Sequence, residues 1–511
     1  MRKQNRICHV WLAEVLVALC CALFVPAMVH GQAVKLVHGD CTPDLTGDDN
    51  GTTRGLPRRL PNTRKDWDAT KVYKQMVVLV SFRDVDFQMA DARASYDSLF
   101  NVSGYNKRNG VGCVAEYFRE QSGGLFNLEF DIYGPVKLDV LANPYDAPTS
   151  KTRNYGKENF RNAAMEMFSQ YPDIDWSQYD WDGDGKVEQI IYVYAGMCGN
   201  QGEGSYGYIW PNTGSFTTVT CPGGVKISNF TCSGEMWKGT LGSCGIGTIC
   251  HEFSHSLGLP DIYPTSNDAG YSAVDEWDLM DGGNFTNYGW CPPDYSPLEK
   301  MLLGWLTPVE LSGPTTVKDL KPTADGGVVY IIYNTQNDYY LLENRQWKGW
   351  SLGVPGRGLV IYHVKYDASK WSSNSVNNVK GDYRYELVHA DGLDYDAWDV
   401  LLEQRGDKTK YANKLRMNCL YLSTSPFPWS TDSTATVNEA LTGTKTPITN
   451  ITMSDDGLVS FDFCGGDQSA ILLPTSTLNA RKEYFDLQGR RIAGRPRKGV
   501  YIVEGKKVII Q

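Results

Sequence analysis

Apolar residues along this chain follow two different rhythms. In the first half, "KQMVVLVSF" (74–82) is a continuous β-branched run of the kind that forms a buried strand. "GCVAEYFREQSGGLFNLEFDIYG" then predicts an amphipathic helix over about 112–121, closed by Gly123 and Gly124, and an alternating strand reaching Tyr133. A helix over about 157–170 and a buried strand "VEQIIYVYAG" (187–196) follow. Strand, helix, strand, helix, strand implies an α/β layer. A further helix, "HEFSH", is reached from "GSCGIGTIC" and left at Gly258. Beyond "SPLEKMLLGWLTP" (296–308) the rhythm shortens to runs such as "GVVYIIYN", "YYLLEN", "GLVIYHVKY" and "GLVSFDF", separated by Gly, Pro, Asp and Asn. That spacing predicts an all-β, sandwich-like second domain ending near Phe463. No internal repeat is present.

Length and chain ends refine this into five segments. At 511 residues, two or three separate cores are expected. Arg2, Lys3 and Arg6 precede the apolar stretch "WLAEVLVALCCALFVPAMV", and Val29 and Gly31 are small enough to flank a cleavage before Gln32, so residues 1–31 read as a removable signal peptide. Glu14 and Pro26 interrupt the stretch and argue against a permanent anchor, and no other stretch is apolar enough to cross a bilayer. Leu19 and Cys20 precede Cys20 and Cys21 where a lipoprotein needs a small residue. Residues 32–72 form a polar leader with the basic pairs Arg58/Arg59 and Arg64/Lys65. A larger α/β domain over 73–310, a β domain over 311–463 and a small β tail over 464–511 complete the division.

Charge and cysteine content set the surroundings. A net charge of −10 leaves no broad basic face for phosphates, which excludes nucleic acid as a partner. Of thirteen cysteines, three leave with the signal; an exported chain with ten remaining permits disulfides, expected among the cluster from Cys198 to Cys291.

The chemistry centres on "HEFSHSLGLPD" (251–261). Residues four apart on a helix point the same way, so His251 and His255 can offer imidazole nitrogens to one ion while Glu252 reaches its bound water. With seven histidines in 511 residues, His-Glu-x-x-His arises by chance on the order of 0.005 times per chain. Gly258 can end the helix in a left-handed turn and return the chain toward the ion, delivering Asp261 as third ligand, with Glu276 as the fallback. The segment resembles the metzincin motif His-Glu-x-x-His-x-x-Gly-x-x-His, with Asp in place of the last His. That likeness implies a Met-turn, at Met280 of "EWDLMDGG".

Several ordered segments broaden the likeness: "VAEYFREQSGGLFNL", "YDWDGDGKVEQIIYVYAG", "IWP", "HEFSHSLGLPDIY", "WDLMDGG", "EKMLLGW" and "YYLLENR". Over about 74–463 the chain resembles the M6 metallopeptidases of the immune inhibitor A type, related to metzincins. The resemblance implies an α/β zincin fold and an exported zinc endopeptidase cutting protein or peptide substrates. Glu252 would be the general base and His251, His255 and Asp261 the zinc ligands. Tyr288 is the nearest tyrosine after the Met-turn and a candidate oxyanion stabiliser.

Other features carry secondary expectations. "DWDGDGKVE" places Asp180, Asp182, Asp184 and Glu188 at the alternate spacing of a calcium loop, although the twelfth position is Ile191; a solvated acidic turn is the plain alternative. Cys41 in the leader is a candidate latency ligand on the metal, against a role as an ordinary thiol or disulfide partner. His363 and His389 read as packed structural histidines. The tail "DLQGRRIAGRPRKGVYIVEGKKVIIQ" resembles sorting domains of type IX secretion substrates, implying contact with secretion machinery and a secreted or outer-surface location in a Gram-negative bacterium. A rival reading keeps the fold as a non-catalytic surface adhesin, but a structural metal site has no need of a base such as Glu252 beside its ligands.

Overall fold

The computed structural model describes residues 67–144, 150–201, 208–238, 242–266, 271–406, 420–432, 435–466, 499–503 and 506–510. The chain begins with β1 (Val72–Phe82), α1 (Ala92–Asn101), α2 (Val114–Gln121) and β2 (Asn127–Leu138). Next come α3 (Ser150–Gln170), β3 (Ile190–Met197), β4 (Asn212–Thr220) and β5 (Lys226–Met236), then α4 (Gly247–Ser256) and α5 (Pro297–Leu302). The five strands form one sheet in the order β2-β1-β3-β5-β4, parallel except for β4. β1 and β3 are buried along nearly their whole length, which explains their unbroken apolar runs. β2 runs past Pro135 to Leu138, further than its alternation predicts, because it is an edge strand, where a residue without an N–H is tolerated. α1, β4 and β5 had no periodic signature. β4 and β5 are rich in Thr and Ser, whose apolar character is too weak to mark a strand by alternation.

The "HEFSH" helix lies inside the molecule: all ten residues of α4 are buried. Its first residue, Gly247, passes so close to the loop before Trp290 that a Cβ would meet the Asn284 carbonyl at 2.1 Å. Phe253 packs against Phe118 and Phe126 in the largest apolar core, and burying a ring of that size stabilises by roughly 1.5–3 kcal/mol.

The second half contains β6 (Val309–Glu310), β7 (Thr315–Leu320), β8 (Tyr330–Thr335), β9 (Asp338–Arg345) and β10 (Gly358–Lys365), followed by α6 (Ala368–Ser372) and β11 (Tyr385–Leu387). The remaining elements are α7 (Tyr395–Gln404), α8 (Leu420–Ser423), β12 (Trp429–Asp432), β13 (Ala435–Val437), β14 (Ile448–Met453) and β15 (Val459–Phe463). A five-stranded sheet, β11-β10-β9-β8-β6, and a three-stranded sheet, β14-β15-β7, share a core that includes Tyr330, Ile332, Leu342, Ile361, Val317, Ile448 and Phe461. The opposite face of the larger sheet presents Ile331, Leu341, Val360 and Tyr362 to the core that also holds Phe253 and Trp277. Both faces of that sheet are therefore buried, which is why "YIIY" and "LVIYHV" read as runs rather than clean alternation. The expectation of an all-β second unit needs correcting, since α6, α7 and α8 interrupt it. α7 is started by Asp394, whose side chain accepts from the Ala397 N–H, a cap the strand-like spacing concealed.

Near the C-terminus, β16 (Gly499–Val503) and β17 (Lys506–Ile510) pair as an antiparallel hairpin, in the tail singled out from the sequence. No described helix is long and apolar enough to cross a membrane. The signal peptide and the leader up to residue 66, with its basic pairs and Cys41, lie outside the described residues, whereas the end of that segment is described: Trp67 packs against Phe126 and Trp305, and Val72 opens β1. The eight described cysteines are free thiols, so the disulfides expected between Cys198 and Cys291 are absent among them. Cys198 and Cys244 instead interact side by side as thiols.

Candidate metal centre

α4 sets His251 and His255 on one face, and the chain leaves it through Gly258 at φ 97°, a conformation that L side chains rarely adopt. The Gly258 N–H donates to the His255 carbonyl and the Leu259 N–H to that of Ser254, closing the helix end. Three residues later Asp261 arrives opposite the two imidazoles. Its Oδ1 lies 3.2 Å from the Nε2 of both His251 and His255, and all three side chains are buried. Glu276, the fallback, is outside this group.

The protonation pattern shows what belongs between them. The Nδ1–H of His251 donates to the Leu279 carbonyl and that of His255 to the Leu259 carbonyl, each at 2.8 Å. In the neutral rings Nε2 therefore carries a lone pair. Two imidazole lone pairs and a carboxylate oxygen thus face one another in a buried space, and none of the three atoms has a hydrogen-bond partner. Acceptors held this closely repel unless a cation sits among them. Four ligands at about 2.0 Å from a tetrahedral ion stand about 3.3 Å apart, close to the separation seen, so the residues fit zinc. Burial alone would raise the Asp261 carboxyl; positive charge at the imidazole face, on protonated rings or on a cation held between them, outweighs it and holds the group well below its ordinary range.

Glu252 is buried beside this trio. Its backbone carbonyl accepts from the Thr213 hydroxyl of β4, which also approaches the Glu252 carboxylate Oε2 at 3.4 Å, tying the helix to the sheet edge. Residues 71–303 match the immune inhibitor A peptidase M6 catalytic domain. Beyond that M6 segment, the chain is similar to "Immune inhibitor A" of Bacillus thuringiensis subsp. alesti, 22% identical over 502 residues that cover 82% of this chain and 71% of that protein. It is also similar to "Pre-pro-metalloprotease PrtV" of Vibrio cholerae serotype O1, 23% identical over 232 residues, 40% of this chain and 25% of that protein. With the converging His, His and Asp, the M6 match supports a metallopeptidase, for which the family implies zinc and protein substrates.

The other sequence candidates fall in different places. Met280 is fully buried; its N–H donates to Asp278 Oδ1, and its carbonyl accepts from the Ile262 N–H directly after Asp261. Tyr288 is 42% exposed, and its hydrogen bonds run through its carbonyl, to Trp237 Nε1 and the Gly245 N–H, so no contact links it to the trio. Asp180, Asp182 and Glu188 bring carboxylate oxygens within 4.8 Å of one another; Asp184 is outside that group, and its Oδ1 accepts from the Lys186 N–H. Crowding and burial push the Glu188 carboxyl up to about 7, burial contributing most. His363 sits between Asp338 and Glu386, and His389 Nδ1 lies within hydrogen-bond distance of the Tyr421 carbonyl, which accepts, and of the Ser425 hydroxyl, so both have structural partners.

Three contributors escaped the sequence reading. Tyr263 stacks on the His251 ring at 6.3 Å and 16°. Thr213 contacts Glu252 from a strand that carried no signal. Asn374 lies 113 residues beyond Asp261 yet bonds it twice: its Nδ2 donates to Asp261 Oδ2 at 2.7 Å, and its Oδ1 accepts from the Asp261 N–H at 2.6 Å.

Proposed function

We propose that the chain is a zinc-dependent endopeptidase of metzincin-like zincin type, exported through its N-terminal signal and cutting extracellular proteins. What carries the reading is the convergence of His251, His255 and Asp261 on one point with Glu252 alongside. The chemistry a bound zinc ion supplies is Lewis acidity, which acidifies water and polarises a peptide carbonyl. His251 and His255, fixed at Nδ1 by carbonyls, keep Nε2 forward as ligand atoms. Asp261 lowers the net charge of the centre by one unit. Glu252 takes the proton from the attacking water and returns it to the departing amine. β4 is an edge strand whose Thr213 touches Glu252, so an extended peptide pairing along that edge would bring its carbonyl beside the base.

The remaining assignments belong to the same reading. Met280 forms the floor of the centre as its Met-turn. The leader holds the enzyme latent through Cys41, and the C-terminal hairpin engages type IX secretion machinery of a Gram-negative cell. The second half serves as a β-sandwich-like unit. Asp180, Asp182 and Glu188 hold a structural calcium ion that fixes the start of β3.

Purified protein with its metal content measured, assayed on casein beside Glu252→Ala, tests the central reading. Zinc near one equivalent, hydrolysis stopped by a chelator, and a folded but inactive variant are expected. Chelator-insensitive hydrolysis, or an active Glu252→Ala, would overturn it.

A further inference from the structure

The third ligand of the centre is not positioned by the segment that supplies the other two. Asp261 lies in an irregular stretch after α4, where no helix or strand fixes its side chain. Its buried carboxylate points one oxygen at the imidazoles and the other at Asn374 Nδ2, while its own N–H is bound to Asn374 Oδ1. A primary amide is the one neutral side chain that can donate and accept in this paired geometry.

Asn374 is itself held. It is 2% exposed and sits at φ 52°, a conformation that Asn tolerates better than most residues. Three residues on, Asn377 donates from Nδ2 to the Tyr385 carbonyl, and its Oδ1 accepts from the Arg384 and Tyr385 N–H groups, anchoring the loop to β11. Asn378 Oδ1 accepts from the Thr265 N–H at 2.7 Å, and the Thr265 hydroxyl donates to the Asn374 carbonyl at 2.8 Å. The loop "NSVNN" (374–378) therefore grips the stretch 261–265 at two points, from a sheet beyond residue 303, where the M6 match stops.

We propose that Asn374 is a positioning residue for the metal centre: through its paired hydrogen bonds to Asp261 it fixes the third ligand, so the β unit steadies a site whose three ligands all lie in the M6 segment. This rests on the zinc reading and adds to it a dependence on a residue outside that segment. The amide keeps Asp261 Oδ2 occupied, so that Oδ1 alone faces the imidazoles, and it prevents the carboxylate from rotating away.

The test uses the full chain and zinc alone as probe, its affinity measured by competition with a chromogenic chelator, for wild type, Asn374→Gly, Asn374→Asp and Asp261→Asn. Gly and Asp both accept the left-handed backbone, so melting in chelator reads only what is lost with the hydrogen bonds of the amide. Asn374→Asp preserves shape and the acceptor for the Asp261 N–H but sets a second carboxyl against Oδ2, so the contact survives only with a shared proton that zinc must displace. Weakening of zinc binding by about 10- to 100-fold in both Asn374 variants is expected, the usual size for removing a group that orients a ligand. A merely structural role would lower melting in chelator in both variants without this loss of zinc affinity in the folded protein. Wild-type affinity in both Asn374 variants with loss in Asp261→Asn overturns the inference and leaves the zinc reading standing; wild-type affinity in Asp261→Asn overturns the ligand assignment and this inference with it.

Discussion

The Nδ1–H of His251 is bonded to the Leu279 carbonyl at 2.8 Å, which ties one metal-facing imidazole to the residue immediately before Met280. The turn carrying Leu279 is thus a template for the ring, and it is held in place by the packing of Met280. Truncation with Met280→Ala should cost about 2–5 kcal/mol in urea unfolding and weaken zinc retention, whereas Met280→Leu should cost under about 1.5 kcal/mol and retain the metal. Equal zinc affinity in all three proteins would separate the turn from the centre.

The proposed role gives Glu252 to the reaction rather than to the ligand set, so Glu252→Gln should bind zinc with wild-type stoichiometry and melt normally. Its kcat on a peptide substrate should fall by about 10²- to 10⁴-fold, the usual contribution of a positioned general base. Lost zinc in this variant would instead make Glu252 a ligand.

A second buried carboxylate pair lies under the same turn. Asp278 and Glu299 are 0% and 2% exposed, and burial followed by their mutual repulsion pushes Glu299 well above its ordinary range, so the pair shares one proton. Asp281, itself raised by burial and then by Asp275, lies nearby, while Arg345 and Lys300 oppose the accumulation of negative charge. A folded-state pKa above the unfolded value contributes stability that is complete below about pH 4 and is lost as pH rises toward the folded pKa. Wild type should lose stability as pH rises from about 4.3, the ordinary glutamate value, toward the raised one. Glu299→Gln, whose amide can donate to Asp278 without a proton, should lose less; parallel melting curves across that range would refute the shared proton.

At the acidic loop, saturating calcium at about 100 times its Kd should stabilise the protein by about 2.7 kcal/mol. Asp180→Asn should abolish that gain and Asp184→Asn preserve it, because Asp180 belongs to the carboxylate cluster with Asp182 and Glu188 and Asp184 does not. No calcium-dependent shift in melting temperature would mean a simple acidic turn.

What the sequence made legible follows from how local each signal is. His251, His255 and Asp261 sit within eleven residues whose helix and glycine turn fix their directions, so spacing alone located them. The strands β1, β3, β9 and β10 were readable from apolar runs. Asn374 was not, because an asparagine in a polar serine- and asparagine-rich loop has no pattern, and its partner is set by tertiary contact across 113 residues. β4 and β5 escaped for a compositional reason, their Thr and Ser side chains being buried by hydrogen bonding as much as by apolarity, as Thr213 and Thr231 show. Asp184 falls outside the cluster of Asp180, Asp182 and Glu188, and spacing alone could not separate it, since Asp180 and Asp182 accept loop N–H groups just as it does.

The larger sheet of the second half is covered on both faces along β9 and β10, with water reaching it only at margins such as the end of β8. The halves of the chain should therefore melt in a single calorimetric transition. A protease nick in the connection around residue 313 would leave two fragments that remain associated until denatured, so release of the β unit as a free module requires disruption of the core that surrounds the metal centre.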